Sequence, residues 1–153
     1  MGPFKGKKMQ LWEGGIRVPA MVRWPGKIKP NSQTSQVAVT MDWTVTILNA
    51  AQIKLDNDLK LDGINLMPIL KGETREIKRN LYWRVTNRAR SDAYRSADWK
   101  YIETPEGEGL YNLLQDPGET TNLKEKQQEI FKKLKLEFEK LDHQMLTPYV
   151  FPK

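Results

Sequence analysis

Lys5-Gly6-Lys7-Lys8-Met9-Gln10-Leu11-Trp12-Glu13-Gly14-Gly15-Ile16-Arg17-Val18-Pro19 is the stretch on which the reading of this chain turns. It holds three glycines, four cations and one acid. Gly6 and the Gly14-Gly15 pair mark backbone that turns tightly or runs close to something, because glycine tolerates dihedrals and contacts that a side chain forbids. Val18 precedes a proline and is pushed towards an extended conformation. That leads into Ala20-Met21-Val22-Arg23-Trp24, an alternating segment closed by Pro25-Gly26 and read as a short strand ending in a turn. By residue type alone, the loop of amines and glycine amides is either an anion site or a solvated turn.

The 153 residues suffice for one domain of ordinary size with a real core. A hydrophobic content of 39% with five tryptophans argues against disorder. No apolar run approaches the roughly 20 residues of a membrane span, and the N-terminus lacks the apolar region of a signal peptide. Zero cysteines exclude disulfides, a thiolate metal site and a cysteine nucleophile. The net charge of +6 is uneven: residues 1–30 carry +6 and 76–104 carry +3, whereas 31–75 and 105–153 carry −1 and −2. An excess at the glycine loop and around Arg84–Arg95 suits an anionic ligand. With no zinc-finger, RNP-type or helix-turn-helix pattern, neither nucleic acid nor membrane is an expected partner.

Further along, Lys27 to Gln36 reads as a polar loop and Val37-Ala38-Val39 as a brief strand. Thr40 or Asp42 caps a helix to about Ile53 with Val45, Leu48 and Ala51 as its apolar face. Asp62 to Gly72 reads as a short helical turn between two glycines. A charged stretch, Thr74 to Arg79, is the boundary between two parts, 1–75 and 76–153. Beyond it, Leu81–Val85, Asp92–Arg95, Trp99–Ile102 and Leu110–Leu113 are four strand candidates rich in aromatics. Asp116-Pro117-Gly118-Glu119 suits a type II turn. Asn122, with Glu125 three residues on, caps a long helix whose stripe is Leu123, Ile130, Leu134, Phe138, Leu141 and Met145, and which Pro148 stops.

A lysine five positions before Glu-Gly-Gly-x-Arg-x-Pro, here Lys8 and Glu13 to Pro19, followed by Arg23-Trp24-Pro25-Gly26, resembles the signature of the type I sulfatases. The branch is that of arylsulfatase A and N-acetylgalactosamine-6-sulfatase. Family members usually have glycine where this chain has Met9 and Lys7. The resemblance continues through Leu61-Asp62-Gly63 and Pro68-Ile69-Leu70-Lys71-Gly72. It then runs through Ala93-Tyr94-Arg95, Asp98-Trp99-Lys100-Tyr101, Leu110-Tyr111-Asn112-Leu113 and Asp116-Pro117-Gly118-Glu119, covering residues 3 to 142. It implies an α+β portion of the α/β alkaline-phosphatase-like fold. Residues 1–75 would end the catalytic domain, and 76–153 would be a C-terminal subdomain with a small four-stranded antiparallel sheet packed against a long C-terminal helix.

The resemblance also assigns roles. Lys8 is implied to contact the sulfate of the substrate; Glu13 and Arg17, read from the residues themselves, brace the loop rather than react. Hydrolysis in the family is implied to need a formylglycine made from Cys or Ser in Cys/Ser-x-Pro-x-Arg, and calcium held by Asp and Asn. This chain has no cysteine, and none of Ser32, Ser35, Ser91 and Ser96 begins that motif. The expectation is therefore the C-terminal portion of a sulfatase whose N-terminal catalytic segment is missing, inactive alone, with no catalytic residue and no metal ligand of its own. Its partner would be a sulfated small molecule or glycan, met in a periplasmic, secreted or (in animals) lysosomal enzyme. Arg84, Arg88 and Arg90, beside Trp83, are further candidates to face the substrate; aromatics at strand spacing otherwise belong to a core. Asp56, Asp58 and Asp62 lack the glycine and closing glutamate of an EF-hand, and the single histidine, His143, sits near a helix C-terminus. The competing reading is a non-catalytic module that binds anionic glycans.

Overall fold

The computed structural model describes residues 2–54, 58–87 and 89–145. Its elements are α1 (Glu13–Ile16), α2 (Thr40–Ala50), α3 (Met67–Leu70), β1 (Asn80–Asn87), β2 (Ala89–Ser96), β3 (Trp99–Thr104), β4 (Gly107–Asn112) and α4 (Gln128–Asp142). They fall into two compact units, one joining the segment that ends at Pro19 to the one that begins at Arg79, the other Ala20–Lys78.

In the first unit, the four aromatic-rich runs pair antiparallel in the order β1-β2-β3-β4. The register Tyr82↔Tyr94, Tyr94↔Tyr101 and Tyr101↔Leu110 lines up four large side chains on one face. Helix α4 covers that face: Phe131, Leu134 and Phe138 form one core with Tyr94, Tyr101 and Leu110. Phe138 lies 5.7 Å from the Tyr82 ring and 5.2 Å from that of Tyr101. The expected sheet and covering helix are thus present. The helix starts later than its sequence pattern suggests, because Asn122 does not cap it. The Asn122 side chain instead accepts hydrogen bonds from the Leu110 and Lys124 amides, clamping β4 to the turn that leads into the helix.

A period of two leaves the alternate residues, Trp83, Ala93, Ile102 and Tyr111, on the opposite face. They form a second core with Leu113 and with Leu11, Trp12 and Ile16. Leu11 is only 3% exposed, so the glycine-rich loop is the cover of the sheet's second face. Gly14 and Gly15 let the loop fold tightly back on itself as it lies there: a Cβ on either would lie about 2.5 Å from a carbonyl oxygen of the loop's own backbone, that of Lys5 for Gly14 and of Lys7 for Gly15.

The Asp116–Glu119 turn closes with a Glu119 N–H to Asp116 O bond of 3.1 Å. It is not the type II turn its proline and glycine suggest, since the left-handed residue is Glu119 (φ +53°) and not Gly118. Gly118 serves close approach instead, because a Cβ there would come within 3.0 Å of the Pro3 carbonyl oxygen.

In the second unit, α2 and α3 form where the sequence places them, and Gly72 (φ +75°) ends α3. Two details differ. The buried residues of α2 are Asp42 and Thr46; Val45 and Leu48 are half-buried and Ala51 is exposed. Asp42 accepts the Val39 and Ile64 amides and Thr46 Oγ1 accepts that of Leu66, so the helix holds the following segment by polar contacts. Ala20–Trp24 and Val37–Val39 are not strands. Alternation makes a strand only where another strand takes up its backbone groups, and the described sheet contains β1 to β4 alone.

Candidate functional site

The loop that carries Lys8 is built from a four-residue turn followed by the helical turn α1. Gln10 N–H donates to Lys7 O at 3.0 Å, and the Gln10 side chain returns a bond by accepting from Lys7 N–H at 3.0 Å. Lys8 and Met9 are the two central residues of that turn, and Met9 has φ +75°. A left-handed third residue is what a type II turn requires, and glycine is the residue that takes it without strain. Met9 adopts that conformation at a cost. Lys7 and Lys8 are both exposed, and Lys8 stands at the tip of the turn.

Behind the tip the loop is fastened by stacked cations and by a buried ion cluster. Lys5 Nζ sits 3.6 Å from the centre of the Trp12 ring, the Arg17 guanidinium lies 4.7 Å from that of Phe4, and Trp12 meets Tyr111 edge to face at 5.4 Å. Lys100, fully buried on β3, points its ammonium at Glu13 Oε1 (2.9 Å) and Glu119 Oε1 (2.8 Å). Glu13 N–H donates to Glu119 Oε2 at 2.6 Å. The Lys100–Glu119 contact is an ion pair without an aligned hydrogen bond. Burial pushes the Glu119 carboxyl up, against the opposing pull of Lys100. The sequence assigns Glu13 a bracing role, and the structure shows what it braces. Lys100 and Glu119 lie in stretches that carry the resemblance, but the sequence gives neither of them a role. The available signal was parity: in Trp99-Lys100-Tyr101-Ile102, Lys100 shares its face with Ile102.

The structure places Arg84 and Arg90 on the carboxylates of Asp92 and Asp142. Arg84 Nε donates to Asp92 Oδ1 at 3.2 Å and its Nη2 to Asp142 Oδ1. Arg90 reaches Asp92 Oδ2 at 2.5 Å and Asp142 Oδ1 at 2.6 Å. The Tyr82 hydroxyl donates to the same two acids. Burial, and then the neighbouring Asp92, push the Tyr82 phenol up, so it remains a donor. This cluster ties the end of α4 to the β1–β2 hairpin. Arg88 and Asp56 lie outside the described residues.

A lysine-tipped turn, buttressed by Glu-Gly-Gly against a four-stranded sheet with a helix on its far face, matches a known family along most of its length. The family described as N-sulphoglucosamine sulphohydrolase, C-terminal, matches residues 4–144. The chain belongs to the sulfatases. Rat steryl-sulfatase is 38% identical over 86 residues, covering 56% of this chain and 15% of that protein. A sulfatase of Formosa agariphila is 36% identical over 138 residues, covering 79% and 25%. Mouse N-acetylgalactosamine-6-sulfatase is 40% identical over 73 residues, covering 47% and 14%. A solved sulfatase structure from the metabolism of glycosaminoglycans by Bacteroides thetaiotaomicron superposes with a TM-score of 0.75 at 26% identity, over 92% of this chain and 32% of its own. This sulfatase chain thus spans a quarter or less of the length of these curated relatives.

Among the described residues, no group of three or more His, Cys, Asp or Glu could hold a metal ion. The two buried carboxylates behind the lysine turn, Glu13 and Glu119, face the Lys100 ammonium. Already taken up by an ammonium, these two carboxylates do not fit a metal site. No helix among them is long and apolar enough to cross a membrane.

Proposed function

We propose that this chain is the C-terminal part of a sulfuric ester hydrolase acting on sulfated sugars or aryl sulfates, and that Lys8 is its contact to the sulfate group. The observation that carries the proposal is the turn itself. Lys8 is exposed at the tip of a loop whose backbone path is enforced on three sides, by the Lys7–Gln10 bonds, by Leu11 in the core and by the Glu13 ion cluster. A compact ammonium on a flexible stem can meet a tetrahedral anion. It would neutralise charge in the bound ester and again as charge grows on the leaving oxygen. In the complete enzyme, calcium would add a Lewis acid, and the formylglycine nucleophile would come from a motif this sequence does not contain. The chain alone should therefore bind sulfate weakly and turn over no sulfate ester.

The role of the Bacteroides relative in glycosaminoglycan metabolism supports a sulfated glycan as substrate. Arg84, Arg88 and Arg90 are the proposed contacts to further sulfates on such a chain. Arg90 comes first among the described pair because its side chain is 45% exposed, against 14% for Arg84.

The test is a titration of the purified chain with sodium sulfate against sodium chloride, followed by amide NMR. Shifts centred on residues 7–10, abolished by Lys8→Ala and kept by Lys7→Ala, are expected. In a complete sulfatase carrying this segment, Lys8→Ala should lower turnover roughly a hundred- to thousand-fold, the effect of about 2–4 kcal/mol for a charge-assisted contact in a closed site. Equal, small effects from both lysines would remove the role from Lys8.

A further inference from the structure

The buried cluster Lys100–Glu13–Glu119 gathers three segments far apart in sequence: the lysine loop, the centre of β3 and the turn after β4. All three residues are buried, at 0%, 4% and 0% exposure. One ammonium faces two carboxylates, an arrangement that costs desolvation and is not needed for hydrophobic packing. Glu119 is moreover held in the left-handed region, which disfavours a side chain. Its carboxylate does two jobs there, accepting the Glu13 amide at 2.6 Å and meeting the Lys100 ammonium at 2.8 Å. The bonds that shape the loop behind Lys8 start from this point. Gly14 N–H donates to Lys5 O at 2.7 Å, and Arg17 N–H to Glu13 O at 2.9 Å.

We propose that Lys100 and Glu119 are positioning residues, which lock the Lys5–Arg17 loop onto the sheet and so fix where Lys8 is presented. Neither touches a ligand. Lys100 holds the Glu13 carboxylate while Glu119 holds the Glu13 amide, so α1 can neither slide along the sheet nor unwind without stranding a buried charge. The substrate-facing purpose of the loop rests on the sulfatase reading above; the lock itself does not.

Amide hydrogen exchange on the purified chain separates the two. In Lys100→Met, the amides of Glu13, Gly14, Gly15 and Arg17 should exchange roughly a hundredfold faster or more, the scale for breaking a buried ion pair. The β3 and β4 amides of Tyr101 and Leu110 should keep their protection. Because Lys100→Met leaves two buried carboxylates and can unfold the unit, the neutral variant Glu13→Gln/Lys100→Met/Glu119→Gln is measured beside it. With no buried charge it should fold, yet still expose the loop amides at least tenfold. Sulfate affinity at residues 7–10 should fall in the same variants.

Wild-type loop protection in the neutral variant would overturn the lock. So would loop and sheet amides accelerating by one common factor in both variants, since the cluster would then serve global stability alone. If wild-type protein shows no sulfate shifts while the loop amides respond as expected, the lock stands and the sulfate role of Lys8 falls.

Discussion

Leu134 tests the architecture most directly, because it sits 3% exposed at the centre of the seam between α4 and the sheet. Leu134→Ala removes three carbons from a packed site, or about 2.4 kcal/mol at roughly 0.8 kcal/mol per carbon. The aromatic rings around it are anchored by their own contacts, with Tyr94 hydroxyl on Glu137 and Tyr101 hydroxyl on Glu108. They cannot collapse fully into the space, so a cavity contribution of about 1 kcal/mol is added and the expected loss is about 3–4 kcal/mol. Leu136, two residues on and 53% exposed, is the control: Leu136→Ala should change stability by less than about 0.5 kcal/mol. Urea unfolding followed by far-UV circular dichroism gives both numbers. Leu134→Asp, which places an unpaired charge in the same seam, should leave the sheet and α4 unfolded. Equal losses from the two alanine variants, or a well-folded Leu134→Asp protein, would refute the packing of α4 on this face.

Two further outcomes follow from the structure. Glu108 is partly buried, which works against ionisation, yet hydrogen bonds from Lys135, Tyr101 and Lys124 hold its carboxyl at about 2. A depressed folded-state value means stability that is present above about pH 4.5 and lost as pH falls towards 2. With solvent screening of the two lysines, about 1–2 kcal/mol should disappear across that window, and Glu108→Gln should flatten it in pH-dependent thermal melts. Met9→Gly removes a side chain from the left-handed region. It should leave the native loop unstrained and stability unchanged or higher by up to about 1 kcal/mol, with residues 7–10 still responding to sulfate; a clear destabilisation would show that the turn does not need a left-handed residue there.

Much of this protein was legible in its residues. The aromatic-rich runs Leu81–Val85 and Trp99–Ile102, and the stripe through Ile130, Leu134 and Phe138, specify strands and a helix, because aromatic side chains suit a pleated buried surface and an amphipathic helix must bury its apolar stripe. Glu13-Gly14-Gly15 with Lys8 marked both the family and the loop, since paired glycines signal close backbone approach before any partner is known. Periodicity failed where the deciding group lay elsewhere. Ala20–Trp24 alternates but has no strand beside it in the described sheet, and Asn122 has a capping sequence but spends its side chain on β4. Only the tertiary structure showed that the sheet's second face is covered by the lysine loop, and that Arg84 and Arg90 meet Asp142, more than fifty residues away. The same holds for Lys100, which a strand pattern records as one polar residue among aromatics. Its partners stand 87 residues before it and 19 after it. A local pattern states which face a residue takes, whereas the burial and pairing of a charge depend on what the rest of the chain brings to that face.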